Sequence, residues 1–312
     1  MQTRNELEQL REYTIVVADT GDIDEIARVR PAEATTNPSL ILKVARLDKY
    51  RAIIEQAKRQ ASAAEERADR VLVGFGARIL EHIPGRVSTE VDARASFDVP
   101  QTVKRARRII ALYESLGFDR SRVLIKIAAT WEGCQACRIL QAEGINCNLT
   151  LIFALAQAEA SAQAGATLIS PFVGRIYDWF KAAEGSCWDE NANCGAKDPG
   201  VQSVTEIFRR LKGARSRTRI MGASFRNKGE ILALAGCDLL TIAPKFMDEL
   251  KDSFSPMPRA LDPGAVPETD PISISEAQFR YRMNCSEVAT VKLAEGIRSF
   301  AADTERLEGM LL

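Results

Sequence analysis

The strongest constraint on the fold is a rhythm. Eight short segments of apolar, β-branched residues recur along the chain, with longer helical segments between them. They are TIVVADT (14–20), EATTNP (33–38), RVSTEVD (86–92), RVLIKIAAT (122–130), INCNLTLI (145–152), TLISPFVG (167–174), TRIMGASF (218–225) and LLTIAP (239–244). Runs of this length and composition read as strands. Residues 47–83 form a long helical stretch of two or more helices, and 99–117, 131–144, 153–165, 204–213 and 227–236 are shorter and amphipathic. Glycine closes several of these, in ESLG, QAEG and ALAG, where a left-handed residue ends a helix. Strands alternating with helices predict a parallel sheet with right-handed crossovers. Eight such units in 312 residues predict a closed (β/α)8 TIM barrel, an α/β fold, rather than an open doubly wound sheet. No GxGxxG follows the first strand, which counts against a dinucleotide-binding fold.

Two segments stand outside the repeat. Residues 178–203 read as an extended insertion with a polar middle, and 245–290 as irregular surface chain containing PMPRALDPGAVPETDP. Residues 288–312 carry Leu293, Ile297, Phe300 and Leu307 on one face, which predicts an additional C-terminal helix packed on the barrel. With no linker or second composition, 1–312 is expected to be a single barrel domain.

Lys plus Arg equals Asp plus Glu at 42 each, so the chain offers no general electrostatic reason to bind nucleic acid or a membrane surface. No apolar run is long enough for a membrane span, and the polar N-terminus is not a signal peptide. The seven scattered cysteines read as reduced thiols in a cytoplasmic protein. Cys134 and Cys137 form a CxxC, but no second pair completes a zinc site and the one histidine is His82. Two small apolar residues on one helix face is the plainer reading, and no metal is expected.

Lys126 is the exception within its strand. Side chains alternate along a strand, so Val123, Ile125 and Ile127 share one face and Leu124, Lys126 and Ala128 the other. The first suits packing against helices; the second then faces the barrel interior. An ammonium there is costly unless it is paired, neutral or at a wet rim. Other strands carry polar groups near their C-terminal ends, where barrel enzymes build their sites. These are Asp19, Asn37, Ser88 with Glu90 and Asp92, Asn148 with Thr150, Ser170 with Phe172, then Arg175, Ser224 and Arg226. Singly, each has a plainer explanation: a helix cap for Asp19, a β-former for Thr150, solvated surface groups for Glu90, Arg175 and Arg226, snorkelling for Lys126. Together, on different strands, they describe a polar cavity.

VVADTGD, ATTNPSLI, STEVDAR, LIKIAATWEG, INCNLTLIF, LISPFVGRI, MGASFRN, GCDLLTIAP and KLAEGIR together resemble, in order, the segments of the transaldolase family in its long-chain bacterial and eukaryotic branch. The resemblance runs from about residue 10 to the C-terminus. It implies a barrel without metal or cofactor that moves a dihydroxyacetone unit between sugar phosphates through a lysine Schiff base, in the non-oxidative pentose phosphate pathway, as a cytoplasmic homodimer. It further implies Lys126 as the Schiff-base lysine, Asp19 as acid/base, and Glu90 with Thr150 as the pair handling the catalytic water. Asn37, Asn148 and Ser170 would hold the three-carbon unit, Arg175, Arg226 and Ser224 the phosphate, and Phe172 would line the cavity.

A second enzyme reading uses the same lysine but releases the three-carbon fragment to water. An apolar ring at Phe172, rather than a hydroxyl, favours keeping the fragment for an acceptor. A third reading is a barrel that binds sugar phosphates without turnover; it has no use for Lys126, Asp19 and Glu90 together.

Overall fold

The computed structural model describes residues 4–312; residues 1–3 of the N-terminal segment lie outside them. Eight parallel strands close into a barrel in chain order: β1 (Ile15–Asp19), β2 (Glu33–Thr35), β3 (Val87–Glu90), β4 (Val123–Ala128), β5 (Cys147–Ile152), β6 (Leu168–Pro171), β7 (Arg219–Gly222) and β8 (Leu239–Ile242). Each lies within the segment read as a strand. Gly117, Gly144 and Gly236 all have positive φ, so the expected left-handed helix ends are present.

The strand faces divide as alternation requires. Val123, Ile125 and Ile127 join the large core between strands and helices. Val17, Leu124, Leu168, Met221 and Leu239 form a separate small cluster inside the barrel. Two residues further along four of these strands, on the same face, stand Asp19, Lys126, Ser170 and Thr241. The barrel is thus dry in its middle and polar at the C-terminal mouth, and the change takes one layer.

Three sequence expectations need correction. Residues 245–290 are not irregular throughout: they hold helices Pro244–Lys251 and Glu276–Asn284. The first starts with proline at its first position and buries Phe246, Met247 and Leu250; the second is opened by a capping box of Ser275 and Gln278. The insertion at 178–203 is helical at both ends. Residues 178–184 complete helix Gly174–Glu184, and Asp198 caps helix Pro199–Gly213 through Gly200 and Val201, so only the stretch between is irregular. There Trp188 stacks edge-on against Tyr177 at 5.1 Å, and Glu190 bonds Tyr177 and Lys181. Third, Asp92 does not share the interior with Ser88 and Glu90. The strand ends at Glu90, alternation stops, and Asp92 turns outward to Arg94 and Arg105.

The C-terminal helix, Glu287–Met310, lies against β5 and the helices around the barrel mouth. Its Asp303 accepts a hydrogen bond from Ser39, and Glu308 pairs with Arg94. Cys134 and Cys137 are both buried in helix Trp131–Ala142. No helix of the described residues is long and apolar enough to cross a membrane.

Candidate active site

Register sets the centre of the site. Glu90 pairs with Lys126 across β3 and β4, and Lys126 with Asn148 across β4 and β5, so the three side chains stand in one row. Lys126 is 5% exposed and Glu90 3%. Lys126 Nζ lies 3.0 Å from Glu90 Oε2 and donates a long hydrogen bond of 3.4 Å to the Thr36 carbonyl. Burial pushes the Glu90 carboxyl above the ordinary range, opposed by the charges of Lys126 and Arg175. The ion pair is close but poorly angled, and Oε2 has no hydrogen-bond partner among the described residues. The same holds for Thr150 Oγ1, which is fully buried. Two orphaned buried oxygens in one wall are a place for a polar group from outside the chain, and bound water suits it.

Asp19 ends β1, and its neighbour in register is Thr35. Thr35 Oγ1 donates to Asp19 Oδ1 at 3.3 Å and lies 2.8 Å from Thr241 Oγ1. A hydroxyl has one proton, so with Thr35 donating to Asp19, Thr241 donates to Thr35. Burial raises the Asp19 carboxyl, and Lys126, the Thr35 bond and Arg175 pull it back. Asn148 is held on both sides, donating to Ser88 Oγ at 3.1 Å and accepting from Ser170 Oγ at 2.7 Å. Asn37 caps helix Pro38–Ala45 by accepting from the Leu40 N–H at 2.9 Å, which leaves its amide nitrogen free to donate.

The end of β5 is shaped by a register shift between Leu149 and Ile152, with Leu151 in the left-handed region. Buried Gln157 fixes this turn. Its amide donates to the Leu151 and Ala129 carbonyls and its oxygen accepts from the Phe153 and Ala154 N–H groups.

The cationic side is built after β6 and β7. Val173 and Gly174 donate to the Ala223 and Ser224 carbonyls, and a Cβ at Gly174 would stand 2.4 Å from the Ser224 oxygen, so glycine permits that approach. Ser224 has positive φ, a strained backbone of the kind that gathers at functional sites. Arg175 makes no hydrogen bond or ion pair among the described residues; its guanidinium carbon lies 4.9 Å from the centre of the Phe172 ring. Burial and the like charge of Arg226 hold it below the usual arginine range. Arg226 is exposed at the rim and bonds Asp178 through two nitrogens.

Seven of the expected residues, Asp19, Asn37, Lys126, Ser170, Phe172, Arg175 and Ser224, line one cavity of about 80 Å³, with Thr35, Met221, Ala223 and Thr241. Glu90 and Asn148 adjoin its floor through Lys126 and Ser170; Thr150 is buried beside Ala128 in the wall; Arg226 stands outside. The sequence does not mark out Thr35, Thr241 or Gln157. Threonine in a strand carries no signal of its own, and Gln157 sits in an ordinary amphipathic helix. A larger groove of about 850 Å³ at the opposite end of the barrel, lined by Arg11, Arg30 and His82, gathers no comparable set of groups.

A closed eight-stranded barrel with ionisable groups converging at the C-terminal mouth defines a (β/α)8-barrel enzyme. This chain belongs to the transaldolase/fructose-6-phosphate aldolase family, whose sequence profile matches residues 16–311. It is similar to a transaldolase of Methylibium petroleiphilum, 55% identical over 311 residues, which is 98% of each chain.

Proposed function

We propose that this protein is a transaldolase, moving a dihydroxyacetone unit from fructose 6-phosphate or sedoheptulose 7-phosphate to erythrose 4-phosphate or glyceraldehyde 3-phosphate through an imine on Lys126. The observation that carries the reading is a buried lysine amine on the cavity floor, 3.0 Å from a buried carboxyl.

Glu90, its carboxyl raised by burial, is placed to take the lysine's proton and leave a neutral amine. The amine attacks the ketose C2. The added nitrogen passes a proton to the former carbonyl oxygen through water held between Glu90 and Thr150, and Glu90 then returns its own proton to that hydroxyl, which leaves as water and gives the protonated imine. In the protonated imine, Asp19 takes the C4 hydroxyl proton, the C3–C4 pair moves into the imine, and the aldose phosphate leaves. Asn37, Asn148 and Ser170 hold the hydroxyls of the remaining enamine. It attacks the acceptor aldehyde, Asp19 gives its proton to the new hydroxyl, and hydrolysis frees Lys126. Arg175, Arg226 and Ser224 bind the terminal phosphate by charge-assisted hydrogen bonds.

Release of the fragment to water needs a proton donor at the enamine. Phe172 supplies a ring there, packed edge-on against Phe153 at 5.6 Å, which favours transfer over cleavage. The test is product formation from fructose 6-phosphate with and without erythrose 4-phosphate. Glyceraldehyde 3-phosphate formed only with the acceptor supports transfer. Acceptor-independent dihydroxyacetone release assigns a cleaving aldolase, and binding without turnover ends both enzyme readings. A cytoplasmic homodimer working in the pentose phosphate pathway belongs to the same proposal.

A further inference from the structure

Arg175 is an unusual cation. It is half-buried, faces the cavity, and has no carboxylate partner among the described residues. What it has is aromatic rings: Phe172, and Phe300 from the C-terminal helix, whose ring centre lies 5.6 Å from the guanidinium carbon. The same Phe300 ring lies 6.0 Å from Lys126 Nζ, and its side chain is 1% exposed. One residue, far from both in sequence, therefore stands over the lysine and beside the arginine.

The helix is shaped for this. Gly296 sits one turn before Phe300 on the same face. A Cβ there would come within 2.6 Å of Leu151 Cδ2 and 3.4 Å of Arg175 Nη1, so glycine lets the helix approach the mouth this closely. One turn after Phe300, Asp303 accepts from Ser39 and pins the helix to the β2 side.

A ring face and a carboxylate both orient a guanidinium, but they differ in what they leave. A carboxylate neutralises the charge and competes with an incoming anion. A π face attracts the cation without occupying its N–H donors.

We propose that Phe300 is a positioning residue for the phosphate end of the substrate, aiming Arg175 into the cavity with its donors free. This rests on the roles given to Lys126 and Arg175 above. It makes the C-terminal helix part of the site's specificity and assigns Phe300 more than packing.

The test is the ratio of kcat/KM for erythrose 4-phosphate to that for unphosphorylated erythrose, with fructose 6-phosphate as donor. Phe300→Leu keeps an apolar side chain but removes the π face. The ratio is expected to fall about tenfold, through KM for the phosphorylated acceptor. Phe300→Tyr, which keeps the ring, is expected to restore most of it. In an Arg175→Ala background, Phe300→Leu should lower the ratio no further, since it acts through that arginine. If Phe300→Leu does not fold, Phe300→Met carries the same comparison. An unchanged ratio, equal losses for both acceptors, or full additivity with Arg175→Ala would overturn the proposal. A wild-type enzyme that forms no borohydride-trapped adduct at Lys126 would instead remove the reading on which it rests.

Discussion

Replacing Asp19 by asparagine removes an ionisable oxygen and almost nothing else. The Thr35 hydroxyl, 3.3 Å from Oδ1, can donate to the amide oxygen as it does to the carboxylate, and Thr241 behind it is undisturbed. The fold and the reach of Lys126 should therefore survive. What is lost is the acceptor for the C4 hydroxyl proton, an effect of about 10²–10⁴ in rate for general bases. That corresponds to about 3–5 kcal/mol of barrier. Burial raises the Asp19 carboxyl toward working pH, which makes it a better base and moves the expectation to about 10³. The same shift has a pH consequence. The base must be ionised, so the acid limb of kcat/KM for the unmodified enzyme should lie above the range of an ordinary carboxylate. The assay is rapid mixing with fructose 6-phosphate, quenching with borohydride, and intact mass measurement. The variant should accumulate the six-carbon phosphorylated adduct, where the unmodified enzyme gives the three-carbon one. A three-carbon adduct formed at near-normal rate would take Asp19 out of the role of base. No adduct of either size would mean that it acts before the imine.

Thr150→Val is nearly isosteric and deletes a buried hydroxyl that has no partner among the described residues. Stability should hold or rise slightly, while imine formation slows about 10-fold or more; a destabilised variant forming imine at the normal rate would contradict the water role. Glu230 and Asp198 are buried together under the turn carrying Arg226, whose N–H donates to Glu230 Oε2 at 2.8 Å. Burial pushes the Glu230 carboxyl up to about 8 and raises Asp198 too. A carboxyl whose value is raised in the fold contributes fully below its ordinary value of 4.5, and that contribution is lost progressively as pH rises from there through about 8. Urea midpoints should fall over that range and flatten in Glu230→Gln; the same slope in both proteins would show that the proton lies elsewhere.

Much of this architecture is legible in the sequence because the physics is local. Strands buried on both faces need β-branched apolar runs, and most of the eight are visible for that reason, although β2 carries one apolar residue, Ala34. Lys126 is legible because a charge inside such a run breaks the pattern. What failed to show depends on partners distant in the chain. Helix Ile23–Val29 is barely two turns long, too short to display a period. The segment 245–290 looks irregular by its prolines, although Pro244 begins a helix rather than breaking one. Alternation carried one step past the end of the strand groups Asp92 with Glu90. Thr35 and Thr241 matter only through each other and Asp19, and a lone threonine in a strand announces nothing. Phe300 reads as one more apolar residue on an amphipathic helix; only the close approach allowed by Gly296 brings its ring to Lys126 and Arg175.

The most direct test of the central claim is borohydride trapping with fructose 6-phosphate followed by peptide mass spectrometry, run beside Lys126→Ala. The account predicts one stable dihydroxyacetone-derived adduct, on the peptide containing Lys126, and none in the variant although it remains folded. An adduct on a different lysine, or a trapped Lys126→Ala protein, would contradict it.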